Sequence, residues 1–156
     1  MPDFPTLADL GDEDPTAPAE TLAPAATPAE SPAPAAPSLT RQVLDWFASE
    51  GFRARLDEDG DIHVRHEGRD VYVLLDPDDP AYVRFIFPGV WKCGDTGDER
   101  SIALVVGNAL NGDMKALKLF LRPGGAVHAT VELFLDGFEA FRNVAPRCLD
   151  LLGAAA

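Results

Sequence analysis

The stretch LTRQVLDWFASEGFRARLDEDGDIHVRHEGRDVYVLL, from Leu39 to Leu75, decides the fold. Leu39, Val43, Trp46 and Phe47 fall at i, i+4, i+7 and i+8, one apolar stripe of a helix, while Arg41, Gln42, Asp45 and Glu50 face away. Ser38 or Thr40 suits the N-cap. Gly51 suits the left-handed position just past the last turn, from which Phe52 packs back on Phe47. Phe52, Ala54 and Leu56 then alternate with Arg53 and Arg55, as in a half-buried strand. Asp57-Glu58-Asp59-Gly60-Asp61 turns the chain, with Gly60 free to take a positive φ. Ile62 and Val64 point inward in the next strand, and His63 and Arg65 outward. After a turn at Glu67-Gly68-Arg69-Asp70, the apolar run Val71 to Leu75 reads as a central strand.

Working outward, Asp76 to Pro80 breaks the chain, and Tyr82 to Phe87 is a strand stopped by Pro88-Gly89. A polar loop, Lys92 to Asp98, leads to a second helix. Its apolar residues Ile102, Val105, Val106, Ala109 and Leu110 recur at helical spacing, and Asn111-Gly112 closes it. Ala116 to Leu121 and Ala126 to Phe134 form a hairpin across Pro123-Gly124-Gly125. The last helix places Phe138, Phe141, Ala145, Leu149 and Leu152 on one face, and Pro146 is expected to kink or split it. The predicted class is α+β, helices against an antiparallel sheet, in the order α-β-β-β(-β)-α-β-β-α.

Residues 1–38 contrast with this. They hold nine of the fourteen prolines, ten alanines and seven acids, with no Lys or Arg. Such a segment cannot bury enough apolar surface to offset its ordering entropy, so it reads as a disordered acidic tail. Residues 39–156 form one domain. Within the tail, Phe4, Leu7 and Leu10 recur every three residues and could be presented to a groove, while Ala17 to Pro37 suits an extended spacer. The net charge is −13, and the domain alone carries 19 acids against 13 bases. That balance argues against nucleic acid and anionic membranes as partners, although a small basic patch can still exist locally. Cys93 and Cys148 lack zinc or CxxC spacing and read as reduced thiols, with a disulfide as the minority reading. With no membrane span and no signal-peptide pattern at Met1-Pro2-Asp3-Phe4, the chain reads as cytoplasmic.

Most of the motifs that could carry chemistry lack a residue or spacing that the chemistry needs. Counted from Asp57, a calcium loop would need Gly at position 6 and Glu at position 12, where Ile62 and Gly68 stand, so the acidic turn reads as a solvated hairpin. His63 and His66 are three apart on a strand and point to opposite faces, and His128 lies in another strand, so three scattered surface histidines are expected rather than a metal site. Ser49, Ser101 and Thr130 show no nucleophile elbow. Lys92 could activate Cys93 within Trp91-Lys92-Cys93-Gly94-Asp95 only if the thiol were exposed. No phosphate loop or dinucleotide fingerprint is present, and no catalytic, metal or cofactor residue is assigned. Asn111 suits a helix cap and Asn108 a nearby turn, with recognition of a partner's backbone as the other reading. Trp46, Phe85, Phe87 and Trp91 are candidates for an exposed aromatic patch if one sheet face lacks a cover.

The helix ending Trp46-Phe47-Ala48-Ser49-Glu50-Gly51-Phe52, the turn Asp57-Glu58-Asp59-Gly60-Asp61-Ile62, and then Asn108-Ala109-Leu110-Asn111 before a Lys-bearing strand and a final hairpin strand resemble the YbjN family of bacterial sensory transduction regulators. The resemblance covers about residues 39–152. It implies a fold similar to class I type III secretion chaperones, which dimerise and hold an extended partner segment, and it implies no catalytic residues. The expected function is therefore a non-enzymatic, cytoplasmic protein-binding module, chaperone-like or regulatory, and a possible homodimer. Its partner surface would include Trp46, Phe85, Phe87, Trp91, Asn108 and Asn111. The alternatives are a small-molecule sensor or enzyme using the loop around Cys93, and a scaffold whose tail, through Phe4, Leu7 and Leu10, is the recognition element.

Overall fold

Ser38 starts helix α1 (Leu39–Ser49), its Oγ accepting the Arg41 amide at 3.3 Å in the computed structural model. The structure describes residues 37–94 and 96–155, so the acidic segment with Phe4, Leu7 and Leu10 lies outside the described residues. The end of α1 follows from Gly51, which takes φ 86°. Its amide donates to the Ala48 carbonyl at 3.1 Å, and the Phe52 amide donates to the Phe47 carbonyl at 2.9 Å. Phe52 thereby lands edge-on against Phe47, ring centroids 5.6 Å apart.

Six strands make one antiparallel sheet: β1 (Arg55–Leu56), β2 (Ile62–His66), β3 (Arg69–Leu75), β4 (Tyr82–Lys92), β5 (Leu117–Leu121) and β6 (Ala126–Phe134). Their spatial order is β1-β2-β3-β4-β6-β5. Helix α2 (Gly97–Asp113) joins β4 to β5, and α3 (Gly137–Ala154) closes the fold. The element order is the predicted one, with the fourth strand present. Alternate residues of the sheet, among them Val64, Val73, Phe85, Ala129 and Val131, are fully buried under α1 and α3. Phe141 of α3 is the hub: it stacks on Phe85 at 5.6 Å and meets Trp46 and Phe47 edge-on at 5.7 and 6.1 Å. Each such fully buried ring contributes about 1.5–3 kcal/mol of transfer free energy.

Four elements differ from expectation. The first strand is only Arg55–Leu56 rather than Phe52 to Leu56, and Leu56 is exposed, because the chain from Phe52 to Ala54 runs beside the sheet without ladder pairing. β4 does not stop at Pro88-Gly89 but continues to Lys92. Phe87 pairs with Ala129 and pairing resumes at Trp91 with Val127, so the intervening residues form a bulge that spares Pro88 a ladder donor it lacks. α2 runs past Asn111-Gly112 to Asp113. α3 is one element through Pro146, an exposed position where water can solvate the carbonyl deprived of its partner, while Phe141, Ala145, Cys148, Leu149 and Leu152 hold the other side in the core.

Candidate protein-binding surfaces

Helix α2 begins at Thr96, whose Oγ1 accepts the Glu99 amide at 3.4 Å, and lies along β5. The side facing the sheet is small: Ala103 is buried, and a Cβ added at Gly107 would sit 3.8 Å from the Leu119 Cβ. Its stripe of large apolar residues is turned outward. Ile102 is 55% exposed, Val105 70% and Val106 42%, with Leu104 at 58% on the flank. The periodicity that marks a buried face in α1 therefore marks an uncovered one in α2. Trp91, 39% exposed on β4, shares a hollow of about 370 Å³ with Val106 and Leu110 and extends this patch toward the sheet.

Asn111 has a different task from capping a helix. Its Oδ1 accepts the Leu119 amide at 2.6 Å and its Nδ2 donates to the Leu119 carbonyl at 3.1 Å. The side chain thus reads the backbone of edge strand β5 as a neighbouring strand would, and it occupies the middle of that edge. Asn108 is exposed and lines, with Asn111 and Leu104, a concavity of about 420 Å³ at the α2–β5 junction. Of the other aromatic candidates, Trp46 and Phe85 lie in the core, and Phe87 is half-buried with the Arg69 guanidinium 5.8 Å from its ring centre. The structure brings Trp91, Asn108 and Asn111 to the α2 region and leaves Trp46, Phe85 and Phe87 elsewhere. The exposed α2 stripe was visible in the sequence as a periodic run, but nothing in a periodic run says which chain covers it.

The remaining motifs settle as structure. Asp57 Oδ1 accepts the amides of Asp59 and Asp61 at 3.0 and 2.9 Å, and Gly60 takes φ 87°, so the acidic segment is a self-bonded hairpin turn. Burial, then Asp57 and Asp59, pushes the Asp61 carboxyl above its ordinary range. Among the described residues no three His, Cys, Asp or Glu side chains converge as metal ligands do. His63 is not a surface histidine: it is 8% exposed, its Nε2 lies 2.8 Å from Asp70 Oδ1, and Tyr72 packs on the ring at 5.0 Å. The Cys93 thiol is also buried, donating to the Gly125 carbonyl at 3.1 Å under the β5–β6 turn. A Cβ at Gly125 would come within 2.5 Å of the Cys93 carbonyl, so this contact needs glycine. Cys148 is buried in α3 and its thiol is pushed up to about 11 by that burial. No described helix is long and apolar enough to cross a membrane.

No protein-family model and no curated protein matches the sequence. Among solved structures the chain is similar to YbjN from E. coli, provisionally assigned as a transcription regulator, with a TM-score of 0.57 and 14% identity over 76% of this chain and 88% of that one. It is also similar to the ExsC–ExsE complex, with a TM-score of 0.51 and 16% identity over 75% and 87% of the two chains. The fold is YbjN-like and chaperone-like, as the order of helix ends and turns in the sequence implies.

Proposed function

We propose that this chain is a non-enzymatic protein-binding module, chaperone-like or regulatory, that acts in the cytoplasm as a homodimer and holds a segment of a partner protein. The observation that carries the reading is the uncovered stripe Ile102, Val105 and Val106 of α2, flanked by Leu104 and Trp91. An apolar patch of this kind on a soluble domain marks an interaction surface. Full burial of a Val, Leu or Ile side chain is worth about 1.5–3 kcal/mol. Four such residues from each of two copies reach the scale of about 4–15 kcal/mol that association costs. The ExsC–ExsE neighbour is a fold of this kind in a complex with another protein, which supports partner capture as the use of the scaffold.

The mode of capture follows from Asn111. Because its amide occupies the Leu119 backbone groups of edge strand β5, side-chain pockets rather than added-strand pairing on that edge carry recognition. Buried thiols at Cys93 and Cys148 fit a reducing compartment and leave the Cys93 loop without an accessible nucleophile.

The test is the pair of substitutions Ile102→Asp and Val105→Asp together. Light scattering is expected to find a dimer for the wild-type chain and a monomer for the variant, with matching circular dichroism. Affinity capture from the source cell is expected to lose, with the variant, a protein that the wild type retains. A wild-type chain that stays monomeric and captures the same proteins as the variant would overturn the reading.

A further inference from the structure

The sheet face turned away from α1 and α3 holds a concavity of about 620 Å³ to which no helix contributes a residue. One wall is the β1–β2 turn, with Asp57, Asp59 and Asp61, and the floor includes Tyr72, Leu74 and Ile86. The opposite wall carries Arg84, Arg122 and His128 beside Phe120. The Arg84 guanidinium reaches across to this side, 5.6 Å from the centre of the Phe120 ring.

Neither wall is neutralised from within. Arg84 and Lys118 share the single carboxylate of Glu132, with Arg84 Nε at 3.3 Å, and Arg122 forms no ion pair among the described residues. His128 is held below the ordinary histidine range by burial and then by Arg122 and Arg84, a sign that the cations converge there. Across the floor, Asp57, Asp59 and Asp61 form no ion pair among the described residues, so that wall carries the opposite sign. The overall negative charge of the chain does not erase this local pattern, because exposed charges beyond about 8 Å are screened at physiological salt.

We propose that this face docks an extended peptide segment of a partner protein bearing a basic residue at one end, an acidic residue at the other and apolar residues between. The basic side chain meets the Asp57–Asp61 turn, and the acidic one meets Arg122 and Arg84. The turn leads into β2, and the cationic wall runs from Arg84 on β4 through His128 on β6 to Arg122 just past β5, two to four strands across the sheet. At about 4.8 Å per strand and about 3.3 Å per extended residue, the two charges of the ligand stand roughly three to six residues apart. The floor of Tyr72, Leu74 and Ile86 takes the apolar side chains between them. This surface is separate from the α2 stripe, and it takes a segment other than the one that the stripe captures.

The experiment uses the full chain and fluorescence anisotropy of labelled Lys-Thr-Val-Thr-Phe-Glu, with two controls carrying Lys at both ends or Glu at both ends. The mixed-sign peptide is expected to bind about tenfold more tightly than either control, since one end of each control meets a wall of its own sign. Arg122 is exposed at the turn, so Arg122→Glu keeps the fold and is expected to weaken the mixed peptide about tenfold. The Ile102→Asp, Val105→Asp variant is expected to bind it as the wild type does. Equal binding of all three peptides, wild-type affinity in Arg122→Glu, or no binding of the mixed peptide overturns the proposal. Light scattering on the α2 variant judges the protein-binding reading separately, so failure of one is not failure of the other.

Discussion

Helices α1 and α2 carry the same signal and meet opposite fates. In α1 the stripe Leu39, Val43, Trp46, Phe47 turns inward, and Val43 and Phe47 are fully buried against the sheet and α3. In α2 the stripe Ile102, Val105, Val106 turns outward, and the helix leans on β5 through Ala103 and Gly107. A 3.6-residue apolar period states that a face will be buried but not by which chain. The difference lies on the reverse side. Small residues at Ala103 and Gly107, with an amide at Asn111, make a close-fitting contact to β5, and they leave the larger residues for something else to cover.

The comparison breaks most severely at Phe47. Phe47→Ala removes a ring that contacts Trp46, Phe52 and Phe141. It is expected to cost about 3–5 kcal/mol, read as a drop in the urea midpoint with an unchanged slope. A loss below 1 kcal/mol would mean that the α1 stripe is no more committed to the core than that of α2.

A middle-sized effect is expected where α2 is fastened. Asn111→Ala leaves the Leu119 amide and carbonyl without their partner and should cost about 1–3 kcal/mol. Hydrogen exchange is expected to show the Leu119 amide losing protection while Val64 and Val73 in the sheet interior keep theirs. Uniform loss across the sheet would place Asn111 in the global core instead of at a local edge.

Local chemistry made most of the fold legible. The Gly51 helix end, the Asp57–Asp61 hairpin and the glycine turn before β6 are each specified by residues within a few positions of one another. What stayed illegible depends on the partner strand or on the third dimension. The continuation of β4 past Pro88-Gly89 is set by where β6 resumes pairing, and Pro146 is tolerated because the opposite side of α3 is held by core contacts. The burial of His63 follows from Tyr72 and Asp70 on the adjacent strand, at positions that the period-two pattern gives only as outward. For the candidate surface, the sequence presents the residues of the α2 stripe but not their exposure. Trp46 and Phe85 read identically to Trp91 until the sheet is assembled.

The smallest effect is the most discriminating. Val105 is 70% exposed, and serine resembles valine in helix propensity, so within one copy Val105→Ser should change stability by no more than about 0.5 kcal/mol. A stripe that is covered by a second copy adds a term that depends on concentration, because association stabilises the folded state by mass action. The wild-type melting temperature is therefore expected to climb as protein concentration rises, and that of Val105→Ser to climb less. At the lowest concentrations, where both are monomers, the two curves should coincide. Curves that coincide at every concentration would show that the α2 stripe differs from that of α1 by being unburied in solution as well, and the self-association reading would fall.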